Sequence, residues 1–145
     1  MARTFFMARF TEGTLALLRV VSALMLMQHG VQKMFGWLLP PDRPARAFEL
    51  LSQRGAAGLL EVFGGMLLAI GLFTRPVAFV LSGLMAFAYF LSHSPDGVWP
   101  ILNRGELAAL YCFLFFYFSA RGGGPYSVDG VLERRRGRLR YDFSR

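Results

Sequence analysis

The chain has 145 residues, 54% of them hydrophobic, with a mean hydropathy of +0.42 and a formal net charge of +7. A soluble domain of this size cannot enclose so large an apolar share, so the composition reads as a one-domain integral membrane protein. Cys112 is the single cysteine, which excludes an internal disulfide and a two-cysteine thiol relay. Much of the basic excess lies in residues 121–145, beside an apolar segment, where anionic lipid headgroups rather than nucleic acid are the expected partner.

In chain order, residues 1–13 form a short basic start. The apolar stretch 15–37, ending LMLMQHGVQKMFGW, is long enough to cross a bilayer as a helix at ~1.5 Å per residue. Within it Ser22, His29, Gln32 and Lys33 recur at helical spacing and share one side, with Arg19 at its edge. A central Arg or Lys turned to lipid costs roughly 2.5–3.5 kcal/mol, so this stripe is expected to face protein or water. No A-x-A-like cleavage site follows, so the stretch reads as an uncleaved first span closed by Gly36 and the interfacial Trp37. The loop 38–55 opens on Pro40, Pro41 and Pro44. Its Ala47, Phe48 and Leu51, with Arg46, Glu49 and Arg54, fit either a short amphipathic surface helix or an irregular loop.

A second helix is expected over 56–73, with Gly58, Glu61, Gly64, Gly65, Leu68 and Leu72 on one close-packing face. Thr74-Arg75-Pro76 turns into a third helix over 77–92, Pro76 sitting in its first turn and Ser82, Ala86, Tyr89 and His93 forming one stripe. A Pro/Gly/Asp/Asn loop with Trp99 leads to a fourth helix over 105–120. That helix opens on Glu106 and carries Ala109, Phe113 and Tyr117 on one side. Gly122–Gly124 break the chain, and 122–145 reads as a basic cytoplasmic tail whose 134–140 run is solvated against headgroups.

The expected architecture is all-α: a multi-pass four-helix bundle over 14–121, between a basic start and a basic tail. Arg3, Arg9, Arg75, Arg121 and the tail fall on one side, Arg43, Arg46, Arg54 and Arg104 on the other. The bias places both termini in the cytoplasm. His29, Gln32, Lys33, Glu61, His93 and Glu106 then gather at the outer leaflet, with Arg19 alone near the inner one.

HGVQKMFGW after an apolar helix, GLLEVFGGMLLAIGLFTRPVAF, GELAALYCFLFF and GPYSVDG together resemble the DoxX family of small four-helix membrane proteins. The resemblance runs from about Leu15 to Gly130. It implies a bundle in the bacterial plasma membrane associated with redox systems, since relatives include a subunit of a thiosulfate:quinone oxidoreductase. Relatives that work through paired cysteines are not models for a chain with one.

Two classes of function follow. The first is a subunit of a quinone-linked oxidoreductase with a polar pocket at the outer helix ends. Lys33 and His29 would donate to an oxygen there while Glu61 handles a proton, and Gln32, Tyr89, His93 and Glu106 would complete the binding wall, with Tyr117 extending it inward. The second is a non-catalytic membrane anchor or assembly subunit, in which Lys33–Glu61 and His93–Glu106 are interhelical pairs. Glu106 also suits the positive end of its helix in either case. Haem or a metal between His29 and His93, with Glu61 and Glu106, is chemically available but has no ligand-spacing motif, and no metal is expected. No flavin, nicotinamide or iron–sulfur motif is present, so electrons would come from a partner subunit or soluble redox protein. Cys112 lies off the polar stripe and reads as a small buried or lipid-facing residue.

Overall fold

The computed structural model describes residues 2–39 and 48–142, with the backbone alone at 2–6, 8 and 138–142. The Pro40–Ala47 part of the first loop lies outside the described residues, and with it most of the surface-helix expectation. Among the described residues there is no strand.

α1 runs from Ala2 to Phe35, so the basic start is helical and continuous with the apolar stretch. The polar residues near its beginning do not interrupt it, because the Thr11 and Thr14 hydroxyls donate back to the Met7 and Phe10 carbonyls. The helix stops at Gly36, whose φ of 67° and N–H bond to the Gln32 carbonyl form a left-handed cap. A second rod is built in three parts: α2 (Gln53–Leu59), a π-helical turn (Leu60–Gly64) and α3 (Gly65–Ile70). Ser52 caps its start by accepting from the Gly55 N–H, and Gly71 closes it at φ 71°. This rod begins and ends three residues earlier than the sequence pattern suggests. α4 (Thr74–Ser92) follows after a tight turn, then a 3₁₀ turn (Ser94–Asp96), the short α5 (Pro100–Asn103), α6 (Glu106–Arg121) and α7 (Val128–Asp142).

α1 packs along the α2–π–α3 rod, and α4 packs along α6. Glycines set the first seam. A Cβ on Gly30 would lie 2.8 Å from the Gly58 carbonyl oxygen, and one on Gly65 would lie 2.5 Å from Met27. The second rod meets α4 in the same way, Gly64 facing the Leu81 side chain. The expected small-residue face is therefore the packed face, with Gly58, Glu61, Gly65 and Leu68 all buried. The core collects Leu15, Ala23 and Leu26 of α1, Leu68 of α3, Ala78, Leu81 and Met85 of α4, and Tyr111, Phe115 and Phe118 of α6.

On α6 the inward face differs from the expected one. Phe113 and Tyr117 are 73% and 50% exposed, while Tyr111, Phe115 and Phe118 turn in. Both sets have helical spacing, and aromatic residues on every side left nothing in the pattern to choose between them. Tyr117 thus extends no inner wall. Cys112 is half-buried beside the core, with its carbonyl accepting from the Ser82 hydroxyl at 2.8 Å.

Outside the core the surface is apolar: Leu17, Leu24, Phe63, Phe79, Phe87 and Phe113 are all exposed. Two stretches, Arg9–Phe35 and Thr74–Asp96, are long and apolar enough to cross a membrane. Only 28% and 22% of their apolar windows are buried, so most of each apolar surface faces outward.

Candidate functional site

Polar side chains gather at both ends of the molecule, and their chemistry differs. At one end Lys33 of α1 donates to Glu61 Oε1 across the glycine seam. The backbone approach at Gly30 and Gly58 allows this, since a Cβ on Gly58 would meet that of Lys33 at 3.1 Å. Glu61 sits in the π-helical turn and is 2% exposed. Its second oxygen, Oε2, has no hydrogen-bond partner among the described residues. A buried carboxylate with a free oxygen is costly, because that oxygen has exchanged water for nothing. On α6, the buried Tyr111 hydroxyl also lacks a partner among the described residues.

The remaining residues expected at this end are employed separately. His29 is exposed, about 100° round α1 from the buried Gly30, and among the described residues it makes no hydrogen bond or ion pair to Glu61. Gln32 donates to the Leu38 carbonyl at 2.7 Å and so ties down the chain leaving α1. The Tyr89 hydroxyl donates to the Val98 carbonyl, and His93 Nδ1 lies 3.0 Å from the Asn103 carbonyl oxygen. The expected His93–Glu106 pair is not formed. Glu106 is exposed at the start of α6, with no hydrogen bond or ion pair among the described residues, where the helix dipole favours it. The hub of this second group is Asn103, 4% exposed. It donates to Tyr89 Oη and to the Gly97 carbonyl and accepts from the Gly105 N–H. Sequence reasoning passed over it, although an Asn just before a residue with φ 59° and a glycine is a turn signal. Among the described residues no hydrogen bond or ion pair joins the Asn103 group to Lys33–Glu61.

At the opposite end Arg19 is 1% exposed, and it is not alone there. Its Nη1 donates to the Leu68 and Ala69 carbonyls at 2.6 and 2.7 Å, and Nη2 to the Tyr126 carbonyl at 2.8 Å. A guanidinium thus satisfies the last carbonyls of α3 at the negative end of that helix. Asp129 caps α4, accepting from the Phe73 and Thr74 N–H groups at 2.9 and 2.8 Å. Burial alone would raise the Asp129 carboxyl, but these N–H bonds and the charge of Arg19 outweigh it and hold it below the usual range. Ser127 closes the start of α7, donating to the Gly124 carbonyl and accepting from the Gly130 N–H. Arg121 pairs with Glu12, tying α6 to α1. The segment after Gly122 is therefore clamped to α1, α3 and α4 through its first turns. The part of α7 beyond Gly130 is exposed where its side chains are described, and helical rather than irregular.

The DoxX family model matches residues 14–94, more than half of the chain. A protein of Haemophilus influenzae (strain ATCC 51907 / DSM 11121 / KW20 / Rd), itself described as uncharacterized, is 42% identical over 126 residues, covering 83% of this chain and 92% of its own length. No solved structure matches.

Proposed function

The chain belongs to the DoxX family, and from that premise we propose that it is the membrane subunit of a quinone-linked redox system. In this reading it is a multi-pass protein of the bacterial inner membrane, and Lys33 with Glu61 is its working pair. The observation that carries the reading is the free Oε2 of Glu61, buried on a π-helical turn. π-turns inside α-helices recur at functional sites, because the extra residue redirects one side chain at a cost to helix geometry. That oxygen leaves Glu61 able to take a further donor or a proton beyond its bond to Lys33.

Reduction of a quinone consumes two electrons and two protons. The Lys33 ammonium suits a quinone oxygen that gathers negative charge, and Glu61 suits a proton passed to or from it. His29 stands exposed at the rim, within reach of solvent. The electrons come from a partner subunit or soluble redox protein, since the chain carries neither a cofactor motif nor a second cysteine. Gln32, Tyr89, His93 and Glu106 are left out of the working group, because loop closure and the α6 dipole already account for them.

Glu61→Gln and Lys33→Met test this, each keeping volume while removing charge. Quinone-dependent activity in membranes with the native partners is expected to fall by about 100-fold or more, the size of a lost acid–base group. The folded, assembled protein should persist. Full activity in an assembled Glu61→Gln protein would overturn the reading. The second reading, a non-catalytic anchor or assembly subunit, is favoured by the structural employment of the Asn103 group and of both Arg19 Nη atoms. It expects the reverse pattern, with lowered stability and lost partner assembly.

A further inference from the structure

The turn before α4, the Gly122–Gly124 loop and the first turns of α7 enclose a groove of about 850 Å³, separate from the Lys33–Glu61 pair. Its walls carry Arg75, Arg121, Arg134 and Arg136 against Asp129 and Glu133. The charges do not cancel locally. Asp129 is committed to the α4 N–H groups, and Arg121 is committed to Glu12. That leaves three guanidinium groups, Arg75, Arg134 and Arg136, without a carboxylate partner among the described residues, facing one uncommitted carboxylate, Glu133.

Two of the three are already oriented. Arg75 Nη1 donates to the Ala120 carbonyl at 2.8 Å and Arg134 Nη2 to the Pro125 carbonyl at 2.9 Å. A carbonyl fixes a guanidinium without neutralising it, so the remaining N–H groups of each fork stay available with little rotamer entropy left to lose. Planar forks brought together from α4 and α7 match the tetrahedral oxygens of a phosphate better than a single carboxylate. The lining is tightly packed at Gly123, where a Cβ would lie 2.6 Å from Thr74 Oγ1 and 2.8 Å from Ser127, so the loop that carries the groove wall is held against α4 and the start of α7. At the groove's edge Phe73 is held at φ 49°, 63% exposed, and Tyr126 is 52% exposed. Both stand where α4 begins and α6 ends, the level at which aromatic rings meet headgroups.

We propose that this groove is a binding site for a phosphate ester, with Arg75, Arg134 and Arg136 as its anion ligands. Two sources share this chemistry, an anionic phospholipid headgroup and a free phosphate, and only the first rests on the membrane reading above.

The test uses the full chain in a neutral detergent, with binding measured for dihexanoyl phosphatidylglycerol, dihexanoylglycerol and inorganic phosphate. Phosphatidylglycerol is expected to bind and dihexanoylglycerol, which lacks the phosphate, is not. Arg136→Gln, which breaks no bond in the fold, should weaken binding roughly ten-fold, the loss of one charge-assisted contact. Arg134→Gln should do the same, whereas Arg135→Gln, one residue along α7 and outside the groove, should leave binding within about two-fold. Inorganic phosphate that displaces the lipid identifies the phosphate alone as the ligand; phosphate that does not identifies the lipid headgroup. Equal losses for Arg135→Gln and Arg136→Gln would reduce the effect to diffuse polybasic attraction and overturn the proposal. Binding of dihexanoylglycerol, or of neither phosphate probe, would overturn it too. Glu61→Gln should bind as wild type does, which separates failure here from failure of the quinone reading.

Discussion

Arg19 shows what a single buried residue decides. Its guanidinium meets three carbonyls from two distant segments, so its loss orphans the end of α3 and unfastens Tyr126 together. Arg19→Met is expected to destabilise by about 3–5 kcal/mol in detergent unfolding, the range for breaking a buried charged network. Arg19→Lys should recover little of this, because one ammonium cannot span the same three oxygens. A variant within about 1 kcal/mol of wild type would show that the clamp carries no stability. Asp129 makes a pH-dependent contribution of the depressed-carboxylate kind. Its folded-state value lies below its ordinary 3.8, so its capping stabilises fully above that value and is lost as pH falls through the folded one. The gap in melting temperature between wild type and Asp129→Asn should therefore be constant from pH 7 to about 5 and close at lower pH. A gap that does not begin to narrow as pH falls below 3.8 would assign the difference to packing instead.

At the scale of the element, the seam between α1 and the α2–π–α3 rod depends on backbones that touch. At Gly30 an added Cβ would meet the Gly58 carbonyl oxygen at 2.8 Å and the Val62 side chain at 2.7 Å. Gly30→Ala should force the rods apart and cost about 1–3 kcal/mol, and it should loosen the Lys33–Glu61 pair one turn away. Gly13 lies on the same helix with nothing within 4 Å of its Cβ position, so Gly13→Ala should stabilise by about 0.5–1 kcal/mol through helix propensity alone. Thermal unfolding of the two variants checks the contrast, and equal shifts would mean that the seam is not close-packed.

At the scale of the whole molecule, the exposed apolar surface and the basic end define an orientation. Arg75, Arg121, Arg134, Arg135 and Arg136 all lie at the Arg19 end, the end expected in the cytoplasm. A reporter fused at Gly122 would remove the clamp that holds α7 to the bundle, so the fusion after Arg145 is the one to read. It should report a cytoplasmic position, while one within Pro95–Asn103 should report an external one. An external C-terminus would reverse the leaflets and place the arginine groove outside.

Much of this was legible in the residues because it is local. Helix positions, the glycine face of the second rod and the reach of Lys33 to Glu61 follow from periodicity and from depth along antiparallel neighbours, and each is written in side-chain identity. The partners of Arg19, His93 and Gln32 were not legible, because they are backbone carbonyls and every residue carries one. The π-helical turn at Leu60–Gly64 escaped for a related reason: packing against α1 and α4, not the propensity of L-E-V-F-G, decides where an extra residue is held in a helix. The inward face of α6 was hidden because its aromatic residues offer two faces of equal hydrophobicity. Sequence alone therefore determined the all-α class, the approximate places of the four apolar helices and one ion pair, but not the helical start of α1 or α7. Only the tertiary structure decided which buried polar atoms are satisfied, and it left Glu61 Oε2 free because no donor from a neighbouring rod reaches it among the described residues.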